Sequence, residues 1–331
     1  MNEKPKMGTT ADSASNEHVV VRPLNPKDAK IVAAMNAGMS SSKGKSRPVA
    51  EMRGGFDALM ESVSPHDGVT FEADILGGIS GVWARPSEWR SEEAIVHLHG
   101  GWFNFGSARA YRHLVGHIAA RAKARTFIPD YRLAPEHPFP AAVDDVVACY
   151  RGFEEKGIRR VVLTGDSAGG NLALVLAARI TEEATTAGTT LAGVAALSPV
   201  TDLTLSGASY ETRGDADPLF TRSQVSELVN SYLHGGDPRN PFASPLYSRF
   251  LGMPPVRIHV GDAEVLLDDS LRYVEAAANA GVNARLDVWM GMPHGFVVNV
   301  GKLAAAEQAL CAVGEFLAER LHSGAANKAA K

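Results

Sequence analysis

From Val69 onward, short runs of β-branched and other apolar residues alternate with longer stretches in which apolar residues recur about every three to four positions. That alternation predicts βαβ units and a mostly parallel sheet with helices on its faces. The runs Val69–Ile75 and Ile79–Arg85 flank Leu76-Gly77-Gly78 and read as a hairpin, so the sheet opens with antiparallel strands. Ala94–Leu98 is the next strand. After it come a helix near Ala108–Ala124, a strand at Thr126–Asp130, a helix near Ala141–Glu155 and a strand at Arg160–Thr164. The second half predicts a helix from about Ala168 to Thr185, strands at Gly193–Leu197 and Val256–Val260, a helix near Leu267–Ala280, a strand at Ala284–Trp289 and a last helix near Ala304–Leu321. Eight strands result.

Two regions break the alternation. Residues up to about Ser64 show helical stretches at Pro26–Met39 and Val49–Val63 with no sheet strand. Thr201–Phe250 is a long insertion rich in turn residues, with one helical stretch at Thr221–Leu233, and an insertion of that length in a compact domain reads as a lid or binding element. The chain therefore divides into N-terminal cap helices (1–64), the first part of the sheet domain (65–200), a cap insertion (201–250), the second part of the sheet domain (251–322) and a flexible tail (323–331). The N-terminal helices either join the insertion over the strand ends or pack on the far side as plain structure.

Length fits this picture, because α/β chains of 331 residues form one large sheet with an attached subdomain. With 45% hydrophobic and 21% charged residues, the composition supports a sizeable core. A formal charge of -4 offers no basic field for phosphates or anionic membranes, so nucleic acid is not an expected partner. Met1–Glu17 lacks the apolar run of a secretory signal, and no stretch reaches the roughly 20 apolar residues that span a bilayer. A cytoplasmic location is the expectation. The two cysteines, Cys149 and Cys311, sit in apolar helical contexts and read as buried, inert thiols, neither a disulfide framework nor a zinc site. No metal is expected.

The strongest chemical signal is Gly165-Asp166-Ser167-Ala168-Gly169-Gly170, placed between the apolar strand residues Val161-Val162-Leu163 and a helix. A sharp strand-to-helix turn strains its central residue, and glycines two positions either side let strand and helix pack closely. Ser167 is thereby thrust out at the carboxyl end of the sheet, where ligands bind in open α/β folds. The string alone would read as a turn; its strand-turn-helix setting makes Ser167 the candidate nucleophile, with Asp166 and Asn171 supporting the turn.

Directly after the strand ending at Leu98 comes His99-Gly100-Gly101-Trp102. Acyl transfer needs backbone N–H donors aimed at a developing oxyanion, and glycines let the backbone come that near. Gly100 and Gly101 are the candidate donors of this loop, and Ala168, at the start of a helix, is a third. His99 follows His97 by two residues, but no nearby carboxylate or cysteine completes a metal set, so His99 reads as a hydrogen-bonding anchor for the glycine loop.

The third signal is Met292-Pro293-His294-Gly295-Phe296, after the last strand. A hydroxyl needs a base of suitable pKa to become nucleophilic, and of the 11 histidines only His294 lies in a loop after a late strand. His113 and His117 share a helix face and read as packing residues. An acid must orient the imidazole. Asp262, Glu264, Asp268 and Asp269 follow the strand Val256–Val260; Asp268 and Asp269 begin a helix and read as capping, which leaves Asp262 or Glu264.

Taken together, His99-Gly100-Gly101-Trp102, Tyr131-Arg132-Leu133-Ala134-Pro135-Glu136 with Phe139-Pro140-Ala141, the Ser167 string and Pro293-His294-Gly295-Phe296 resemble the bacterial hormone-sensitive-lipase-like esterases over roughly residues 69 to 320. The resemblance implies an eight-stranded α/β-hydrolase sheet, a cap of N-terminal helices plus an insertion, and no cofactor. In that family the acid heads a D-P-L-x-D-E-G segment, with which Glu264-Val265-Leu266-Leu267-Asp268-Asp269-Ser270 falls in register, so Glu264 takes the acid's place and Asp262 stays in play. Trp102 stands where the family usually has glycine or alanine and is expected to shape the pocket wall. The Trp102 variant and the Glu264 segment also look like the branch with monoterpene lactone hydrolases.

The implied activity is hydrolysis of short to medium acyl esters through a Ser167-His294-Glu264 triad, with lactones, amides and thioesters as rival substrates of the same machinery. A rival of another class is a ligand-binding module, since plant gibberellin receptors resemble members of this fold that have lost the base; His294 in its loop argues against it. A homodimer is expected to pair, if it forms, through Ala284–Trp289 as an edge strand.

Overall fold

The computed structural model describes residues 17–41, 43–44, 49–183 and 188–326. Residues 1–16, on which most of the reading of the N-terminus rests, and 327–331 of the expected tail lie outside the described residues. The elements in chain order are β1 (Val19–Arg22), α1 (Pro26–Ser40), α2 (Val49–Glu61), β2 (Thr70–Leu76), β3 (Ile79–Arg85), β4 (Glu93–Leu98), α3 (Ala108–Ala122), β5 (Thr126–Pro129), α4 (Ala141–Glu155), β6 (Arg160–Asp166), α5 (Ala168–Glu182) and β7 (Thr190–Leu197). Then come α6 (Ser209–Thr212), α7 (Arg222–Leu233), β8 (Val256–Gly261), α8 (Leu267–Asn279), β9 (Ala284–Trp289) and α9 (Ala304–Ala326).

The strands form one nine-stranded sheet in the order β1-β9-β8-β7-β6-β4-β5-β3-β2. Among them β3 alone runs against the rest, pairing antiparallel with both β2 and β5. Central strands are largely apolar because both faces are covered, and β4 and β5 are buried along their whole length. One face carries α3 and α9, and the other α4, α5 and α8. Trp83, Phe127 and Phe153 pack ring against ring across β3, β5 and α4, which closes the antiparallel end of the sheet.

The structure corrects several expectations. The sheet has a ninth strand: Val19–Arg22 adds parallel to β9, so the region before Ser64 is not helical alone. Ala284–Trp289 is consequently an inner strand, paired on both sides, and cannot supply the edge expected for a homodimer. The helix expected to end near Leu321 runs on to Ala326, past the expected start of the tail.

The N-terminal helices serve two ends of the molecule. Asp28 of α1 is buried and accepts the N–H groups of Ala304 and Ala305, each at 2.9 Å, capping α9 from a distant part of the chain. Arg53 of α2 turns toward the strand ends, donating to the carbonyls of Asn104 (2.8 Å) and Ala134 (2.8 Å) and pairing with Glu136. The insertion is tied down by α8: Asp269 accepts from Thr201 N (2.7 Å) and Asp202 N (3.0 Å), and Asp268 from Ser209 N (3.0 Å). Those two carboxylates, expected as caps of their own helix, hold the root of the insertion instead.

Candidate active site

Ser167 sits between β6 and α5 with φ 54° and ψ −120°, a backbone conformation that L-residues avoid. The turn is tight because its flanks have no side chains. A Cβ on Gly169 would overlap the carbonyl oxygen of Leu98, and one on Gly165 would overlap the carbonyl of Gly169. The Ser167 N–H donates to Leu197 O (2.8 Å), and Asn171 Nδ2 donates to Val200 O (2.9 Å) and Ala243 O (2.8 Å). The elbow is thus locked to the end of β7 and to the far end of the insertion.

The glycine loop after β4 packs directly on this elbow. Asp166 Oδ1 accepts the N–H of Gly100 (3.0 Å), and its Oδ2 accepts the Tyr111 hydroxyl (2.9 Å), which also receives the Gly100 N–H (3.0 Å). Burial and the Asp166 charge push the Tyr111 phenol well above its ordinary range, so it stays a donor. The expectation that Gly100 offers an oxyanion donor therefore gives way: its only N–H is already engaged. Among the described residues, no protein acceptor meets the N–H of Gly101, Trp102 or Ala168.

His99 lies where an anchor should. Its Nδ1 is 2.9 Å from Gly100 O, and its ring stacks on Tyr131 at 4.2 Å. Burial lowers its pKa, which keeps the ring neutral. His97, also buried, has Nε2 3.5 Å from Asp166 Oδ1. Among the described residues no group of side chains is arranged to hold a metal ion.

His294 and Glu264 meet across two loops. His294 Nδ1–H donates to Glu264 Oε2 at 2.6 Å, and Glu264 Oε1 accepts from Ser198 Oγ (2.7 Å) and Gly261 N (2.7 Å). Glu264 is fully buried. Burial works against a charged imidazole, but the Glu264 charge and hydrogen bond outweigh it and raise the His294 pKa. Asp262 faces elsewhere, accepting the N–H of Gly291. Ser167, Ser198 and His294 line one small pocket together with Asp166, Leu197 and Phe296.

Trp102 is buried and meets Phe220 edge to face (5.5 Å, 85°), and Phe220 meets His294 at 5.3 Å. The insertion thereby reaches the imidazole. Sequence reasoning missed Ser198, Phe220 and Asp217. Ser198 follows β7 with φ 46°, and a small hydroxyl at a strand's carboxyl end was its only signal. Asp217, wholly buried, accepts from Leu219 N (2.8 Å), Phe220 N (3.0 Å) and Val265 N (2.9 Å), joining the Phe220 turn to the Glu264 loop. Cys149 is buried and its thiol pushed far up by burial, as an inert thiol should be, whereas Cys311, also expected to be buried, is only partly so.

A serine on a strained elbow at the carboxyl ends of a parallel sheet, beside a histidine bonded to a buried carboxylate, is the architecture of a serine hydrolase. Comparison with known proteins narrows this. Residues 95–298 match the α/β-hydrolase-fold family. An acetyl-hydrolase of Streptomyces hygroscopicus is 38% identical over 235 residues, 70% of this chain and 75% of that protein. An esterase of Acinetobacter venetianus is 33% identical over 244 residues, 73% of this chain and 79% of that protein. The solved structure of an esterase from the bacterial hormone-sensitive lipase family superposes with a TM-score of 0.83 at 34% identity, covering 90% of this chain and 99% of that one. The chain belongs to the α/β-hydrolase family, among the esterases of the bacterial hormone-sensitive-lipase type. It is a carboxylic ester hydrolase. Among the described residues no helix is long and apolar enough to cross a membrane.

Proposed function

We propose that the protein hydrolyses short to medium acyl esters through Ser167 as nucleophile, His294 as base and Glu264 as the acid that orients it. The observation that carries this reading is the 2.6 Å bond from His294 Nδ1 to a fully buried Glu264, in a pocket wall shared with the strained Ser167. With Nδ1 held by Glu264, Nε2 is the nitrogen left to take the Ser167 proton. The alkoxide attacks the ester carbonyl, and the oxyanion is received by the free N–H groups of Gly101, Trp102 and Ala168. His294 returns the proton to the leaving alcohol, and water repeats the sequence on the acyl-enzyme.

The short-acyl preference is supported by two features. Phe220 packs against His294 with Trp102 behind it, and the relative from Streptomyces hygroscopicus is an acetyl-hydrolase. No cofactor takes part in this cycle. The test is hydrolysis of p-nitrophenyl acetate, butyrate and octanoate, with a cyclic lactone in the panel, by wild type and Ser167→Ala. Turnover of the short esters by wild type alone supports the assignment, and the lactone result divides esterase from lactonase. A folded wild type inert on every substrate would sink it.

A further inference from the structure

We infer that Asn104 is a positioning residue through which the cap holds the oxyanion loop in its working shape. This role rests on the hydrolytic reading of the site and adds a residue that acts through the backbone of its neighbours.

The loop is strained where it matters. Gly101, Trp102 and Phe103 all have positive φ, at 114°, 50° and 61°. Glycine adopts such values freely, but a non-glycine residue pays roughly 1–2 kcal/mol, and two bulky aromatics in succession do so only where surrounding contacts impose it. Bonds inside the loop, from Asn104 N and Phe105 N to Gly101 O (2.9 Å each), close the turn. They do not fix it to anything else.

The Asn104 side chain does. It is wholly buried, and its Nδ2 donates to Trp102 O (2.6 Å) and to Leu228 O of α7 (3.4 Å). Its Oδ1 accepts the Ser231 hydroxyl of α7 (2.8 Å), and its own carbonyl accepts Arg53 Nε of α2 (2.8 Å). Both ends of the amide are used, and only an amide offers a donor to two carbonyls and an acceptor to a hydroxyl at once. The aromatic neighbours face the same way: Phe103 stacks on Tyr232 of α7 at 3.8 Å and 9°, and Trp102 meets Phe220. One buried amide therefore bonds the carbonyl of Trp102, on the peptide next to the one that carries the Trp102 N–H, to the cap helix. Ala134 N donates to Phe103 O (2.9 Å) and ties the loop to the sheet domain, and the Asn104 amide adds the tie to α7; without that tie the strained turn loosens and the N–H groups of Gly101 and Trp102 lose their aim.

The experiment uses full-length Asn104→Asp, Asn104→Leu and Ser231→Ala with p-nitrophenyl acetate, whose small acyl group makes little use of the cap. Active sites are titrated with a p-nitrophenyl phosphonate, so kcat is counted per working site. Loss of one oxyanion donor costs about 10²–10³ in kcat. A loosened loop should cost about 10- to 100-fold in the Asn104 variants and less in Ser231→Ala, with KM within about threefold. A trifluoromethyl ketone, which forms an oxyanion on Ser167, should lose affinity by the same factor as kcat/KM. A merely structural role would lower the melting temperature and the titrated fraction but leave per-site kcat and ketone affinity unchanged, which overturns the inference. If the Asn104 variants fail to fold, Ser231→Ala decides by the same two readouts. A wild type killed by Ser167→Ala beside unaffected loop variants refutes this inference alone, whereas an inert wild type removes the hydrolytic reading with it.

Discussion

Replacing Glu264 by glutamine keeps the side chain's shape and removes its charge, and the surrounding donors decide how the new amide sits. Oε1 meets two of them, Ser198 Oγ and Gly261 N, each at 2.7 Å, while Oε2 meets His294 Nδ1 at 2.6 Å. A glutamine has one acceptor oxygen and one NH2. The backbone N–H of Gly261 cannot turn round, and facing it with an NH2 in a buried site costs about 1–3 kcal/mol. The amide oxygen therefore stays at the Oε1 position and the NH2 points at His294. Nδ1 must then accept, and the imidazole proton moves to Nε2, the nitrogen that has to take the Ser167 proton. A wrong tautomer of this kind lowers kcat about 10⁴-fold, equivalent to about 5.4 kcal/mol. A second signature accompanies the first. Glu264 raises the His294 pKa above its ordinary 6.5, so the ascending limb of kcat/KM against pH, which needs neutral His294, lies above that value in wild type and moves to lower pH in the variant. Hydrolysis of p-nitrophenyl butyrate from pH 5 to 9 measures both, beside Asp262→Asn, which should lose less than about tenfold because the Asp262 carboxylate accepts from Gly291 N and not from His294. A folded Glu264→Gln within tenfold of wild type, or an Asp262→Asn that is the more damaged of the two, would refute the reasoning.

Removing the distant cap of α9 with Asp28→Ala should cost about 1–2 kcal/mol in urea unfolding, with esterase activity per folded molecule within about twofold of wild type. Burial works against ionisation of Asp202, but hydrogen bonds from Ser206, Thr204 and Arg272 outweigh it and hold its pKa at about 2. Because the folded value lies below the unfolded value of about 3.9, its contribution is complete above that pH and fades as pH falls from about 4 toward 2. Asp202→Asn should therefore be less stable than wild type by about 1–2 kcal/mol at pH 7, after allowance for solvent screening, with a gap that narrows below pH 4; a gap independent of pH would count against it. Gly169→Ala would drive a methyl into the backbone carbonyls of Leu98 and His99, so a loss of about 1–3 kcal/mol in thermal unfolding, together with at least tenfold lower kcat, is expected; wild-type values of both would show the contact to be softer than drawn.

Much of the site was legible because it is carried by short-range rules. The Ser167 elbow needs small residues at fixed offsets between a strand and a helix, and that need is written into Gly165, Gly169 and Gly170. What stayed hidden depends on partners far along the chain. Gly100 has the right residue type and place for an oxyanion donor, yet its N–H goes to Asp166 and Tyr111, which lie 66 and 11 residues away. Asp268 and Asp269 look like helix caps, and nothing local reveals that they hold Ser209, Thr201 and Asp202. The strand Val19–Arg22 was missed since four residues carry little periodicity of their own, and its pairing with β9 is decided by that strand's open edge.

Glu264 rather than Asp262 is proposed as the acid on backbone geometry, because residue type leaves both open. Both stand in the loop after β8, and by chemistry either could orient an imidazole. Gly261 brings that loop against the histidine loop: a Cβ there would overlap Met292 O, while Asp262 N donates to Trp289 O (3.1 Å) and Ala263 N to Met292 O (3.2 Å). Those bonds bind residues 262 and 263 to the chain leading into His294, and the Asp262 side chain completes the seam on Gly291 N. The next carboxylate, two residues further on and one methylene longer, has Oε1 gathered by Gly261 N and Ser198 Oγ and Oε2 free for His294. In the proposed triad the Glu264 carboxylate thus spans the Ser198 and Gly261 donors on one oxygen and the imidazole on the other, and a Glu264→Asp variant, one methylene shorter, should lose part of the His294 bond and with it about tenfold or more in kcat.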